Sequence, residues 1–436
     1  MYRLRSRSPI GHLSVFRGDP LAFLQSLTDY NESIVQFRLG RKRIFLLLHP
    51  DLTKEVLITK STHFHKSKPF QELEPLLGSG LLLSEDDLHH KQRNIIQPSF
   101  TPRHIKEYSQ QMSEGILQYL KKWEDEGVRN VSEDMMELAL VMITNTMFSM
   151  DVKDGQKRVG DSLEKVMAIA TKRIRSIIKT PGSWRTKENL VFQQSVNDLN
   201  DVVLEIIKGR EIEEEKREDL LGVLMQAVNE KDEKMSREQL KDEVMTILLA
   251  GHETTATALA WTLHLLTRHP DIYEKVEAEI CKVYDSRMLT YEDVHQLPFT
   301  KRVLQESMRL YPPVWLFGRR AVDHVSIGDQ YLKPGDTVMI SPYVMHRHPD
   351  FVESPNAFQP ERFEGDLFKQ EFYFPFGGGN RVCIGQHFAM LEAMLILASV
   401  IQRYRFSVID KKEIIPNPLI TLRMMDSLRL KVVRKS

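Results

Sequence analysis

Cysteine is almost absent from this chain: its 436 residues include two, Cys281 and Cys383. Two thiols cannot build a disulfide framework and leave little for a structural zinc site, which fits a reducing compartment. Long hydrophobic runs are missing as well. The most apolar stretch, residues 393–401, is about half a membrane span. The basic start MYRLRSRSPIGHL leads into no apolar segment long enough for a signal-peptide core. Nor is there an excess of charge of either sign. The 60 Lys and Arg balance 60 Asp and Glu, so nothing draws the whole chain to nucleic acid or to an anionic surface. No Pro/Gly/Ser-rich or low-complexity stretch offers a linker, and the expectation is one domain over residues 1–436. With no membrane anchor, it is expected in the cytoplasm.

What is there is an ordinary globular composition, 42% hydrophobic and 28% charged, with mostly helical periodicity. Apolar residues recur at three- and four-residue spacing over 105–123, 135–148, 198–207 and 272–283. Strand patterns are fewer. They fall at 34–39 and 43–48 around the turn Gly40-Arg41-Lys42, at 325–327 and 337–340, and at 406–408 and 429–433. The fold class expected is mainly α with small β-sheets.

One helix is predicted to begin at a capping box, Ser236 with Gln239, and to stop at Arg268-His269-Pro270. It would be roughly 48 Å long at 1.5 Å per residue. Its middle, MTILLAGHETTATALAW, is apolar on nearly every face, which implies burial. Gly251, His252, Glu253, Thr254 and Thr255 interrupt it. Polar side chains halfway along a buried helix are costly unless paired, so they mark a site.

The two cysteines differ in surroundings. Cys281 lies in EAEICKVYD, a charged helical segment, and reads as an unreactive thiol. Cys383 stands between glycines just ahead of an apolar helix predicted over 388–401. Free backbone amides and the positive end of a helix dipole favour thiolate there. Glycines before it let the backbone approach a flat group closely. The combination suits a thiolate metal ligand beside a planar cofactor.

Phe376, Gly379, Arg381, Cys383 and Gly385 fill the pattern Phe-x-x-Gly-x-Arg-x-Cys-x-Gly, which resembles the haem-binding loop of the cytochrome P-450 family. The resemblance implies a fold with a long central helix over haem b, with Cys383 holding the iron and favouring scission of the O–O bond. Arg381 would then bond a haem propionate, Phe376 would lie against the sulfur side of the ring, and Gly377 and Gly385 would flank it. Glu306 and Arg309 are similar to the family's Glu-x-x-Arg pair, with Arg362 as the third member of a structural network. His89 and Arg93 resemble the family's helix bearing a histidine or tryptophan four residues before an arginine, facing the propionates. Arg319 resembles the arginine of a strand at the haem edge, although Arg320 beside it leaves the register open. On the distal side, Ala250-Gly251-His252-Glu253-Thr254 is similar to the oxygen-binding signature. Thr254 would bond the carbonyl of Ala250 and open a bulge, and Glu253 with Thr254 would relay protons.

The activity implied is insertion of one atom of O2 into an apolar substrate, a fatty acid, terpenoid or steroid-like molecule. Segments 70–83, 166–184, 245–250, 314–317 and 419–422 match pocket-lining regions and are rich in Leu, Ile, Met, Phe and Trp. Electrons would come from a separate ferredoxin or flavodoxin, with no flavin or iron–sulfur segment in the sequence, and the enzyme would be a monomer. Two rivals remain at this point, a peroxide-using peroxygenase and a haem-thiolate sensor. Neither needs the Glu253 and Thr254 pair.

Overall fold

The computed structural model describes residues 1–149, 155–175, 184–212, 217, 219–227, 235–283, 287–365, 371–410 and 412–435. Part of the segment 166–184 therefore lies outside the described residues. The chain divides into two compact units. The first comprises Met1–Gln71, Gln305–Cys383 and Ile420–Arg423; the second comprises Glu72–Leu304, Ile384–Leu419 and Met424–Ser436.

The first unit is built on a six-stranded sheet. Its strands are β1 (Tyr2–Arg3), β2 (Ile34–Leu39), β3 (Lys42–Leu47), β4 (Phe64–Lys66), β5 (Phe317–Ala321) and β8 (Thr337–Ile340), with β6 (Val325–Ile327) and β7 (Gln330–Leu332) forming a separate hairpin. The order across the sheet is β1-β2-β3-β8-β5-β4. The β2–β3 hairpin turns at Gly40, whose φ of +61° is the left-handed conformation that glycine adopts without strain. Alternation along β3 sends Phe45 and Leu47 into one apolar cluster and Ile44 and Leu46 into another. The sheet is therefore buried on both faces. Arg43 donates to both carboxylate oxygens of Asp336, at 3.0 and 2.7 Å, and ties β3 to the turn that leads into β8.

Helices dominate the second unit: α1 (Asp86–Ile96), α2 (Pro102–Leu120), α3 (Val131–Phe148), α4 (Gly155–Arg175), α5 (Lys187–Ile212), α6 (Arg237–Arg268) and α7 (Pro270–Val283), followed after α8 by α9 (Gln386–Arg403). Helix α8 (Pro298–Leu310) carries the chain from this unit into the first. Ser236 caps α6 by accepting from the Gln239 N–H at 3.1 Å, and the helix stops before Pro270, in keeping with its sequence signals. Gly251 permits its closest packing: a Cβ there would stand 2.7 Å from Ile143 Cδ1 on α3. A small antiparallel sheet joins Tyr404–Val408, Arg429–Arg434 and Glu126–Asn130. The periodicity does not foretell the third of these, because GVRN has no apolar alternation and is extended by pairing with a strand some 300 residues away.

Candidate active site

In the first unit the loop that ends at Cys383 is held from behind by a buried ion pair. Glu306 and Arg309, one turn apart on α8, are both fully buried and meet in a two-pronged contact at 2.7 and 2.9 Å. Arg309 uses its remaining donors on the carbonyls of His346, Pro355 and Ala357, at 2.9, 2.8 and 3.0 Å. Glu306 also accepts from the Gln359 N–H at 2.9 Å, with Arg362 3.4 Å away. Every donor of the guanidinium is satisfied, which is what makes such a burial tolerable. The network reaches the loop through His346, whose Nε2 accepts the Phe374 N–H at 3.0 Å. That bond needs an unprotonated nitrogen. Burial first, then Arg309 and Arg347, hold His346 well below the usual histidine range.

From Phe374 the loop turns tightly. Gly377 donates to the Phe374 carbonyl, Val382 to Gly379 and Cys383 to Phe376, each at 3.0 Å. Gly377 and Gly379 have φ of +73° and +64°. A Cβ on Gly379 would stand 1.8 Å from the Leu57 carbonyl oxygen, so only glycine fits. Cys383 is exposed while Phe376 and Arg381 are half-buried, and Cys383 precedes by two residues Gly385, the cap residue of α9. The donor set, a reachable thiol on a glycine-formed loop, fits a thiolate-ligated planar metal cofactor. Strand β5 settles which arginine shares that side. The Arg319 guanidinium lies 5.2 Å from the Phe317 ring centroid, and Phe317 meets Phe374 edge-on at 6.5 Å. Residues 317 and 319 share a strand face, so Arg319 stands on the face of the loop's first residue and Arg320 on the other.

The second unit supplies the other signals. From Asp242 to Leu266, α6 is buried at every position except three, Ala250, Gly251 and Thr254. These lie on one helical face, and the Thr254 hydroxyl donates to the Ala250 carbonyl at 2.7 Å. The expected bulge does not form: the helix stays α-helical through this stretch, because a threonine can share the carbonyl four residues back without breaking the ladder. Glu253 is buried next to Thr254. Gly251 has a packing role against Ile143 that the sequence reading does not anticipate. On α1, His89 is buried and Arg93 half-buried, one turn apart.

Three groups near these residues escape the sequence reading. Asp242 and Glu243 clamp the loop before α1, accepting from the Ser79 and Leu81 N–H groups at 2.8 and 3.0 Å. A Cβ on Gly78 would stand 2.0 Å from Asp242 and one on Gly80 2.1 Å from the Thr246 hydroxyl, so the loop lies directly on the helix. Glu392 is a fully buried acid inside the apolar run of α9. Only Glu392 carried a signal in the sequence, an acid within an apolar stretch.

A family model for cytochrome P450 matches residues 7–431. Cyclooctatin synthase of Streptomyces melanosporofaciens is 33% identical, over 94% of this chain and 91% of that protein. Cyclooctat-9-en-7-ol 5-monooxygenase of the same organism is 31% identical, over 91% and 87%. Pentalenene oxygenase of Streptomyces avermitilis is 28% identical, over 98% and 96%. No helix among the described residues is long and apolar enough to cross a membrane. The match runs unbroken through both compact units, and the chain belongs to the cytochrome P450 family of haem-dependent monooxygenases, as the glycine-cradled Cys383 indicates.

Proposed function

We propose that this monooxygenase oxidises a terpenoid-like substrate, working as a cytoplasmic monomer with haem b and with electrons from a ferredoxin or flavodoxin. The observation that carries the reading is the interruption of α6. A helix buried from Asp242 to Leu266 opens only at Ala250, Gly251 and Thr254, where an oxygen-handling site needs room and a hydroxyl. Haem supplies the activation of dioxygen when bound. Cys383 would hold its iron, Phe376 would keep water from the sulfur, and Gly377 and Gly385 would let the backbone lie close. Arg381, His89, Arg93 and Arg319 would hold the propionates. Thr254, its own proton engaged by Ala250, presents oxygen lone pairs to water, and Glu253 beside it supplies the acid of a proton relay. Support for a terpenoid comes from the relatives named for oxygenation of cyclooctat-9-en-7-ol, 31% identical, and of pentalenene, 28% identical, against 29% for an ultra-long-chain fatty acid omega-hydroxylase of Homo sapiens.

The assignment is tested by the spectrum of the reduced protein under carbon monoxide. Wild type and Cys281→Ala are expected to show the thiolate-characteristic band and Cys383→Ala to lose it; retention by the Cys383 variant would end the reading. For the substrate, pentalenene, cyclooctat-9-en-7-ol and a long-chain fatty acid are titrated into the ferric protein. Terpenoids are expected to shift the haem band at lower concentration than the acid, and the reverse order would move the proposal to fatty acids.

A further inference from the structure

Glu392 has no counterpart in the functional reading above, although it is among the most buried acids of the molecule. Its side chain is fully buried on α9. One carboxyl oxygen accepts from the Thr255 hydroxyl on α6 at 2.9 Å, and the other has no protein partner. Burial and the Thr255 hydroxyl are the influences on this carboxyl. No charged group contributes from α2, α3, α6, α7, the short helix Tyr291–Val294 with its Glu292 and Asp293, or the strand Tyr404–Val408, which all pack against α9. It is unlike Glu306, whose burial is answered by Arg309. A carboxylate with one neutral donor in an apolar interior is too costly to keep charged, and the acid form is the one that fits.

The position of its partner gives the contact meaning. Thr255 follows Thr254, about 100° further round the helix. Gly251 presses on Ile143 of α3 on the same side of α6. These two contacts hold one side of α6 next to its open positions, and the rotation of the helix there decides whether Ala250 and Thr254 look outward. Only Gly251 has a steric reason for its seat; Thr255 is seated by a polar bond that a valine would lack.

We propose that Glu392, acting through Thr255, is the positioning residue that sets the rotation of α6 at which Thr254 faces the reacting side. It does so as a neutral acid, since its fully buried carboxyl meets one hydroxyl donor on one oxygen and no protein partner on the other. This rests on the role given to Thr254, and the test separates the two.

The holoenzyme is reduced under carbon monoxide, and the infrared C–O stretch reports the polarity beside the bound gas. Thr254→Ala is expected to shift it. Thr255→Val and Glu392→Leu are expected to shift it the same way, while Glu392→Gln, which copies the neutral acid in shape and hydrogen bonding, keeps the wild-type band. In heavy water the wild type is expected to show the carbonyl stretch of a protonated carboxylic acid at pH 7 that Glu392→Gln lacks. If Thr254→Ala moves the band but Thr255→Val does not, the positioning role is wrong and the reading of Thr254 stands. If Thr254→Ala itself leaves the band unmoved, the reading of Thr254 fails and the positioning proposal fails with it. A Glu392→Gln band that follows Glu392→Leu, or no acid band at pH 7, overturns the neutral form. Should Glu392→Leu not fold, Thr255→Val and Glu392→Gln decide the question.

Discussion

Two buried glutamates of the second unit are answered differently from Glu306 of the first, although the second unit also holds a buried ion pair, Arg210 with Asp219 at 2.6 Å. In the first, Glu306 is met by Arg309, and the pair is tied into five backbone groups, the carbonyls of His346, Pro355 and Ala357 and the amides of Gln359 and, through the His346 ring, Phe374. In the second, Glu243 and Glu392 are as deeply buried but meet only neutral donors, Leu81 N–H and the Thr255 hydroxyl. A buried charge survives where a counter-charge and a full set of hydrogen bonds surround it, and otherwise the group discharges. One unit therefore holds a rigid ionic lock behind the cysteine loop. The other holds acids whose proton occupancy changes near neutral pH, with Glu243 pushed up to about 7 and Glu392 to about 8 by burial.

Breaking the lock gives the largest expected effect. Arg309→Leu leaves the buried Glu306 with only Arg362, 3.4 Å away, as counter-charge and strips three carbonyls of their donor, and removal of one partner of such a pair costs about 3–5 kcal/mol. Thermal unfolding of the variant is expected at much lower temperature, with loss of bound haem because the His346 and Phe374 contact lies downstream. Adding Glu306→Met should recover only part, since the carbonyls stay unsatisfied. Full recovery would show that the ion pair, rather than its backbone bonds, is what matters.

The comparison also predicts opposite responses to pH. An acid raised from 4.5 to about 7, as Glu243 is, contributes stability that is complete below 4.5 and lost as pH climbs through 7. His346, depressed well below 6.5, works the other way: its contribution is present above 6.5 and lost as pH falls through its folded value. Hydrogen exchange, corrected for its intrinsic pH dependence, should therefore quicken in residues 78–84 as pH rises from 4.5 to about 7 and in residues 374–383 as it falls below 6.5. Glu243→Gln should flatten the first response and leave the second alone. Parallel responses in both segments would mean that the buried groups do not set local stability.

This contrast explains what could be read in the sequence. The cysteine loop was legible because its chemistry is local: Phe376, Gly379, Arg381 and Cys383 lie within eight residues and the turn that joins them is short-range. Helix α6 was legible at both ends, since Ser236 and Pro270 are local punctuation. The Glu306 and Arg309 pair was visible through its resemblance to the family's Glu-x-x-Arg motif and its place between the long helix and the cysteine loop. Glu392 and Glu243 were not legible as a site because their partners, Thr255 and Leu81, lie 137 and 162 residues away. Strand Glu126–Asn130 was missed for the same reason. Arg319 and Arg320 could be told apart only once Phe317 and Phe374 showed which strand face meets the loop.

The smallest expected effect concerns the electron donor, and it extends the comparison from buried charge to exposed charge. Lys91 is exposed on α1, as is His90, while the same helix begins with the exposed acids Asp86 and Asp87. The positive charge of Lys91 is therefore partly offset one turn away, and its field is a local one. Electron transfer from an acidic ferredoxin or flavodoxin should still slow as salt is added, because screening cuts the reach of surface charge to about 8 Å at physiological ionic strength. Lys91→Glu should slow it a few-fold at low salt through the association rate, with the substrate titration and the carbon monoxide band unchanged. Stopped-flow reduction at two salt concentrations reads both. A buried carboxyl such as Glu243 should be indifferent to the same salt, since charges away from solvent are little screened. If reduction ignores both the salt and Lys91→Glu, the donor does not dock on α1 by charge, and an apolar contact surface becomes the better account.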